Sequence, residues 1–269
     1  MASLQSLSCA VLDSAKIKSK HKIYLHILTF VCAASSIFLN GYWLYLLAVI
    51  ALLSELSSWL LSFSIGKKKS LGQEILRLNI LKQAFGSNMA SEISYLKSKV
   101  DRKEYAKAEE FENQEYYATT DEVPEKRLVE IIQESCFWSQ HLYQSCQERS
   151  TKISIILSVL IVILIITGLS IIGNDSSYSI PRLSLLFLTF IPLWGAIENA
   201  VNFSSAAEKL RSIDQKLDNI SYEQSSILAI FADYNVVTSK APLIPQKVYE
   251  SEQSKLNELW SERVDCNAV

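Results

Sequence analysis

Two long apolar stretches, at residues 23–65 and 153–203, dominate the hydrophobic pattern of the chain. Each stretch is long enough for two helical crossings, because a bilayer core of roughly 30 Å takes about 20 helical residues per crossing. The sequence therefore predicts an all-α membrane protein whose four transmembrane helices form two hairpins. We place the four predicted spans at residues 23–39, 42–65, 153–172 and 183–203.

Basic residues cluster on one side of the predicted spans. They are Lys16, Lys18, Lys20, Lys22, Lys67, Lys68, Lys69, Arg149, Lys152, Lys209 and Arg211. Because cytoplasmic flanks carry the excess of lysine and arginine, both termini and the segment between the hairpins are predicted to be cytoplasmic. The short links at 40–41 and 173–182 are then external. The formal net charge of −2 hides this segregation of charged residues.

The segments outside the hairpins, at 1–22, 66–152 and 204–269, predict a helical cytosolic domain built from the middle segment and the C-terminal tail. Residues 1–14 lack the basic, apolar and small-residue regions of a signal peptide. Their apolar positions instead fit a short amphipathic helix. We expect this helix to pack on the soluble domain rather than on the membrane surface.

Helix breakers divide the cytosolic segments. Apolar residues between 71 and 112 recur at helical spacing, with a predicted break at Gly86. Pro124 suits the first turn of a helix, and no breaker follows it until Gly168. One helix of about 45 residues is therefore predicted to run from the cytosol through the third span.

The fourth span is also predicted to continue into the cytosol. No glycine or proline follows it before Pro242, and apolar positions between Leu210 and Phe231 alternate at three and four residues. This pattern predicts a continuous rod. Two interpretations remain open: a coiled-coil or bundle seam, and an amphipathic helix that packs on its own chain. After the rod, residues 248–260 predict a final amphipathic helix.

The chain carries no recognised catalytic or cofactor motif. P-loop, GxGxxG, HExxH and GxSxG patterns are absent, and the three histidines have no nucleophile or metal partner at local spacing. The five cysteines show neither metal-ligand spacing nor a disulfide framework. We therefore predict a protein that is not an enzyme and that needs no cofactor or metal.

Polar residues inside the spans indicate a pore. A glutamate is costly at membrane depth unless it faces a bundle interior or water, and one lies in the second arm of each hairpin. Around an axis of several subunits, either would form a carboxylate ring that attracts cations. The predicted pore-lining residues are Glu198, Asn202, Ser205, Thr189, Glu55 and Ser58. The alternative is that both glutamates only form hydrogen bonds within the bundle.

Aromatic and basic residues of the cytosolic part form a candidate ligand site. Aromatic rings stack on bases and arginine binds phosphate, a combination typical of sites for single-stranded or cyclic oligonucleotides. The predicted ligand-binding residues are Arg127, Lys126, Tyr116, Tyr117, Trp138, His141 and Arg77. Carboxylates are as frequent in this region, so salt bridges on helix surfaces are the alternative explanation for most of the basic residues.

Four strings of the sequence carry a resemblance. They are Tyr116-Tyr117-Ala118-Thr119, the run from Arg127 to Trp138, Ala241-Pro242-Leu243-Ile244-Pro245, and Leu256-Asn257-Glu258-Leu259-Trp260. Together with the four-span topology, they resemble the SMODS-associating four-transmembrane effectors. That predicted pore-forming family is encoded beside oligonucleotide-making nucleotidyltransferases in bacterial antiphage defence. The resemblance covers most of the chain from Lys67 onward.

The resemblance implies an effector of the bacterial inner membrane that leaks ions and depolarises the membrane when infection is sensed. Related CBASS-like systems use a cyclic oligonucleotide that opens the effector, whereas Hailong-type systems use a linear DNA oligomer that keeps it shut. No separate sensor domain is recognisable in this chain. The ligand is therefore expected to bind the helical cytosolic part itself.

Two functional hypotheses follow. The first is a homo-oligomeric channel, expected to be a tetramer, that lies in the lipid bilayer and is gated by an oligonucleotide from a nucleotidyltransferase; no duplex nucleic acid is expected as a partner. The second is a non-conducting, membrane-anchored interaction module that recruits a cytosolic protein. A small transporter has less support, because the two hairpins show no evident internal repeat.

Overall fold

The computed structural model describes residues 2–39, 41–86, 89–112, 117, 119, 122–172, 179–220 and 222–267. Within these ranges the chain is all-α, as the sequence predicts, and contains no strand. The α-helices are α1 (Leu4–Ser35), α2 (Trp43–Phe85), α3 (Ala90–Ser98), α4 (Arg102–Ala108), α5 (Pro124–Ile172), α6 (Ser179–Leu217), α7 (Gln224–Lys240) and α8 (Gln246–Asn267). A short 3₁₀ helix, Glu109–Phe111, follows α4.

The chain divides into two compact units. We call Ile17–Ile65 with Glu148–Val201 the apolar unit, and Met1–Lys16, Gly66–Gln147 and Asn202–Val269 the polar unit. Helices α1, α2, α5 and α6 each contribute residues to both units.

Three helices of the described chain, α2, α5 and α6, are long and apolar enough to span a membrane. Only 22–28% of the apolar window of each helix is buried, so most of this apolar surface is exposed in the single chain. Helix α1 is not among the three. The predicted first span at 23–39, and with it the four-span topology, therefore stays a prediction.

Exposed aromatic side chains mark both ends of the apolar part of α2. Tyr42 and Trp43 are 88% and 64% exposed at one end, and Trp59 and Phe63 are 60% and 56% exposed towards the other. Trp43 and Trp59 are separated by about 24 Å of helix, close to the roughly 30 Å of a bilayer core. Aromatic residues at such a separation are typical of the two interfaces of a membrane.

The polar unit contains two hydrophobic cores. The smaller one joins the start of α1 to α2, α3 and α4, and it buries Leu4, Leu7 and Val11 against Ile75 and Leu78. The N-terminal segment therefore packs on helices α2, α3 and α4 of the polar unit. The larger core is formed by the first half of α5 with parts of α2, α6, α7 and α8.

Helix ends agree with the predicted breakers at several points. Helix α2 ends at Phe85, and Gly86 follows with φ of 62°, a conformation that glycine adopts without strain. Helix α5 begins at Pro124 and continues without a break to Ile172. Helix α7 ends just before Pro242, and the final predicted helix is present as α8.

The predicted continuous rod after the fourth span is wrong. Helix α6 ends at Leu217 and α7 begins only at Gln224, so the chain turns between them. Asp218 and Asn219 open this turn, and their short polar side chains compete with the helical backbone for hydrogen bonds. The apolar positions from Leu210 to Phe231 lie in the larger core of the polar unit, so both helices pack on their own chain.

The predicted external link at 173–182 is too long at its C-terminal end. Helix α6 begins at Ser179 rather than at residue 183, which places Arg182 inside a helix. Residues 173–178 lie outside the described ranges. Arg182 is only 2% exposed, so it belongs to the interior of the apolar unit and not to a solvated loop.

A close approach of α1 and α2 in the polar unit requires Gly72. A Cβ atom at this position would lie 2.7 Å from Cγ of Leu12, and Ser8 Oγ donates a hydrogen bond of 2.8 Å to the carbonyl oxygen of Gly72. We expect Gly72→Ala to lower the free energy of unfolding by about 1–2 kcal/mol, because the overpacked leucine must leave its rotamer.

Gly66→Ala is the matched control on the same helix, since its Cβ would meet nothing within 4 Å. This substitution should stabilise the protein by about 0.5–1 kcal/mol through helix propensity. Thermal unfolding of both purified variants, followed by circular dichroism, measures the difference. Equal midpoints for the two variants would contradict the close approach.

Candidate functional site

A buried polar cluster joins α1 and α2 inside the apolar unit. Oε1 of Glu55 accepts a hydrogen bond of 2.7 Å from Oγ1 of Thr29 and lies 3.1 Å from Nδ1 of His26. The other ring nitrogen of His26, Nε2, lies 3.2 Å from Oγ of Ser58. One tautomer satisfies both contacts: Nδ1–H donates to the carboxylate of Glu55, and Nε2 accepts from the hydroxyl of Ser58.

The position of Glu55 explains why it needs these partners. It lies near the middle of the apolar part of α2, between Trp43 and Gly66, and is 6% exposed. A carboxylate at that depth is expensive unless it is paired and hydrogen-bonded. The second oxygen, Oε2, is buried without a hydrogen-bond partner among the described residues. Within one protomer, Glu55 is thus an internal group of the hairpin.

Sequence reasoning did not find His26 or Thr29 as partners of Glu55. His26 has no acidic residue at local spacing, because its partner lies 29 positions away. A signal was nevertheless present: His26 and Thr29 share one face of α1, and Glu55 and Ser58 share one face of α2. In an antiparallel hairpin that turns at Gly41, these pairs lie at matching distances from the turn.

The predicted pore-lining residues of α6 fall into two groups. Glu198 and Asn202 are exposed, on a helix that also exposes Trp194, Ile197 and Val201. Thr189 is fully buried and donates its hydroxyl to the carbonyl oxygen of Leu186 at 2.6 Å. Ser205 is half-buried, and on α2 Ser58 is buried beside His26. Of the predicted pore-lining residues, the exposed ones on α6 are therefore Glu198 and Asn202.

Two predicted ligand-binding arginines contact backbone carbonyls of neighbouring helices. Nη1 of Arg127 donates to the carbonyl oxygen of Gln83 at 3.2 Å, in the last turn of α2. Nη2 of Arg77 donates to the carbonyl oxygen of Asn235 in α7 at 3.0 Å. The contact with Gln83 places a positive charge at the C-terminal end of α2, where helix carbonyls concentrate negative potential, whereas Asn235 lies before the last turn of α7.

The aromatic members of the predicted ligand site contact different neighbours. Trp138 stacks on Tyr249 of α8 at 6.2 Å between ring centroids, and His141 meets the ring of Phe137 edge-on at 4.8 Å. Tyr117 packs against the larger core.

Lys126 lies elsewhere, with Nζ 5.8 Å from the ring of Tyr222. Tyr116 lies outside the described residues. Trp138 and His141 are thus together with α8, whereas Arg127 lies about 16 Å from Trp138 along α5.

A charged cluster that the sequence did not indicate lies beside His141. The guanidinium of Arg263 donates to both carboxylate oxygens of Asp214, at 2.7 and 3.0 Å, and to Asp218 at 3.3 Å. It also lies over the rings of Phe137 and Trp260. The hydrogen bond with Asp214 raises the pKa of Arg263, and burial lowers the pKa of His141. Arg263 and Asp214 are far apart in sequence, so no local pattern could have paired them.

The polar cluster of the hairpin predicts a specific non-additivity. His26→Ala leaves a buried carboxylate without its imidazole partner, so it should lower the free energy of unfolding by about 3 kcal/mol. Adding Glu55→Gln to this variant should recover about 1–2 kcal/mol, because the neutral amide needs no such partner and still accepts from Thr29. Thermal unfolding of the two single variants and the double variant measures the coupling. Strictly additive effects would show that the two side chains do not interact.

Comparisons with protein-family models, with curated proteins and with solved structures give no match for this chain. The residues that bear on function are therefore those just described: the paired Glu55, the exposed Glu198 and Asn202, and the aromatic and charged residues around α8.

Proposed function

We propose that this protein is a subunit of an oligomeric membrane channel whose pore is lined by Glu198 and Asn202. The observation that carries the proposal is the exposure of Glu198 on an apolar helix, beside exposed Trp194 and Ile197. An exposed carboxylate in such surroundings is costly against lipid. Assembly around an axis relieves this cost, because it turns the polar stripe towards water.

The chemistry of such a pore follows from its lining. A ring of carboxylates raises the local concentration of cations and repels anions, and the amide of Asn202 is a neutral hydrogen-bonding neighbour one helical turn away. Glu55 has a different role in this proposal, since its carboxylate is already engaged by Thr29 and His26. The channel we propose is therefore cation-selective through Glu198.

The proposed topology keeps four spans with both termini in the cytoplasm. Support for the first span comes from hydrogen bonds between α1 and α2 along the hairpin, including Ser54 Oγ to the carbonyl oxygen of Leu25 at 2.8 Å. Exposed Ile23, Ile27 and Val31 on α1 would then face lipid. The lysine-rich flanks orient the hairpin by the positive-inside rule.

The proposed regulator is an oligonucleotide, cyclic or linear, made by a partner nucleotidyltransferase in bacterial antiphage defence. This part of the proposal is based on the resemblance to the SMODS-associating effectors. Conduction across the inner membrane would depolarise the cell. Trp138 and His141 offer aromatic rings, and Arg127, about 16 Å away along α5, offers a cation, so an oligonucleotide would contact them at separate points along its length.

A non-conducting interaction module is the second candidate function. The internal pairing of Glu55 favours it, because that glutamate serves packing in a single protomer without any pore. In this case the cytosolic helices would recruit a protein partner, and Glu198 would lie at an interface between proteins.

Conductance of the purified protein in liposomes tests the channel. Two unit charges ~4 Å apart in water interact with an energy of about 1 kcal/mol. Loss of the attraction between the carboxylate and a passing cation in Glu198→Gln should therefore lower the cation-to-anion permeability ratio about fivefold. The matched control is Glu208→Gln, an exposed glutamate of the same helix in the polar unit, which should leave the ratio unchanged. No current from the wild-type protein, with or without oligonucleotide, would favour the interaction module.

Direct binding of labelled oligonucleotides tests the regulator. Loss of a charge-assisted hydrogen bond costs about 1.5–3 kcal/mol, so Arg127→Ala should weaken binding at least about tenfold. Arg102→Ala removes an exposed arginine of α4 and serves as the control. Because Arg127 also contacts Gln83, helix content is measured by circular dichroism for each variant. Unchanged affinity would remove Arg127 from the ligand site.

A further inference from the structure

The interior of the apolar unit contains a buried arginine that joins the two predicted hairpins. Arg182, in the first turns of α6, is 2% exposed. Its Nε donates to the carbonyl oxygen of Ser36 at 3.4 Å, and its Nη2 donates to the carbonyl oxygen of Leu39 at 3.3 Å. Both acceptors belong to the turn that follows α1, so a side chain of the second hairpin closes the end of the first.

The electrostatics of this contact are favourable. The backbone N–H groups of the turn already bond to the last carbonyls of α1. The planar fork of the guanidinium bonds instead to the carbonyls of Ser36 and Leu39, beyond the helix end. An arginine buried without acceptors in this apolar unit would cost several kcal/mol. The contact therefore holds the guanidinium and the turn in one arrangement.

Apolar packing surrounds this contact. The nearby hydrophobic cluster buries Cys32, Ala33, Ala51, Leu164 and Leu185, and the partly buried side chains packed against it are Phe30, Ile37, Leu47, Ala48, Leu186 and Leu188. Within lipid, the hydrophobic effect does not drive helices together, and packing and polar contacts decide their association. Arg182 therefore adds a polar contact between the hairpins to this packing.

We propose that Arg182 is a positioning residue that latches the two hairpins together at the turn after α1. The two hydrogen bonds to the turn are long, at 3.4 and 3.3 Å, and their acceptors are neutral carbonyls that water can replace once the turn separates from α6. The effect on conduction rests on the proposed channel function: the latched arrangement is the non-conducting one, and loss of Arg182 favours conduction.

Cys32 provides a natural reporter for the latch. Its side chain is 3% exposed and packs in the same cluster as Leu185, one turn beyond Arg182. Separation of the hairpins at this end exposes its thiol. The rate of N-ethylmaleimide labelling of Cys32 in the full chain, read by mass spectrometry of its peptide, therefore measures opening.

The experiment compares Arg182→Gln with Arg211→Gln, which removes an exposed arginine of the same helix in the polar unit. Arg182→Gln should accelerate labelling of Cys32 about tenfold or more, whereas Arg211→Gln should match the wild-type rate. A wild-type rate in Arg182→Gln overturns the latch. If Arg182→Gln does not fold, Arg182→Lys takes its place with the same criterion, because one ammonium cannot reproduce the planar fork.

Liposome currents without any oligonucleotide separate the latch from the channel. Faster labelling together with a current in Arg182→Gln supports both. Faster labelling with no current from any variant supports the latch and contradicts the proposed channel. A current that appears in Arg182→Gln without faster labelling of Cys32 overturns the latch.

Discussion

Two helices of this protein end against a positive charge that another part of the chain supplies. Lys69 donates to the carbonyl oxygens of Ser239 and Ala241 at the end of α7, and Arg127 donates to Gln83 at the end of α2. The last carbonyls of a helix have no partner within it, and leaving them buried and unpaired is expensive. Arg182 acts in the same way on the turn that follows α1, since it donates to two of its carbonyls. Basic residues that suggest ligand binding in the sequence thus have structural partners as well.

The glutamates of the two apolar helices α2 and α6 illustrate how the same residue type is placed in different surroundings. Glu55 lies in the middle of the apolar part of α2 and is surrounded by Thr29, His26 and Ser58, so one of its oxygens is satisfied within this chain. Glu198 is exposed on α6. The two glutamates therefore differ in burial, although a hydropathy scale gives both the same value. The channel proposal is built on the second glutamate for this reason.

In the polar unit, the chain after α6 folds back and does not continue as one long helix. The turn at Asp218 and Asn219 brings α7 beside α5 and α6, so the apolar seam that indicates a long rod becomes part of one core. Arg263 of α8 then pairs with Asp214 and stacks on Trp260. Helix α6 therefore does not continue as one rod past Leu217, and α7 is held in the polar unit by its packing with α5 and α6.

By itself, the sequence determined the all-α class, the start of α5 at Pro124, the end of α2 before Gly86 and the burial of Leu4, Leu7 and Val11, because breakers and helical periodicity act over a few residues. It also located the apolar stretches, since span length is set by bilayer thickness. Only the tertiary structure decided that His26 meets Glu55, that Arg182 closes the turn after α1, and that Arg263 meets Asp214. Each of these pairs joins different helices, and which helix faces meet depends on the packing of the whole chain rather than on any local pattern.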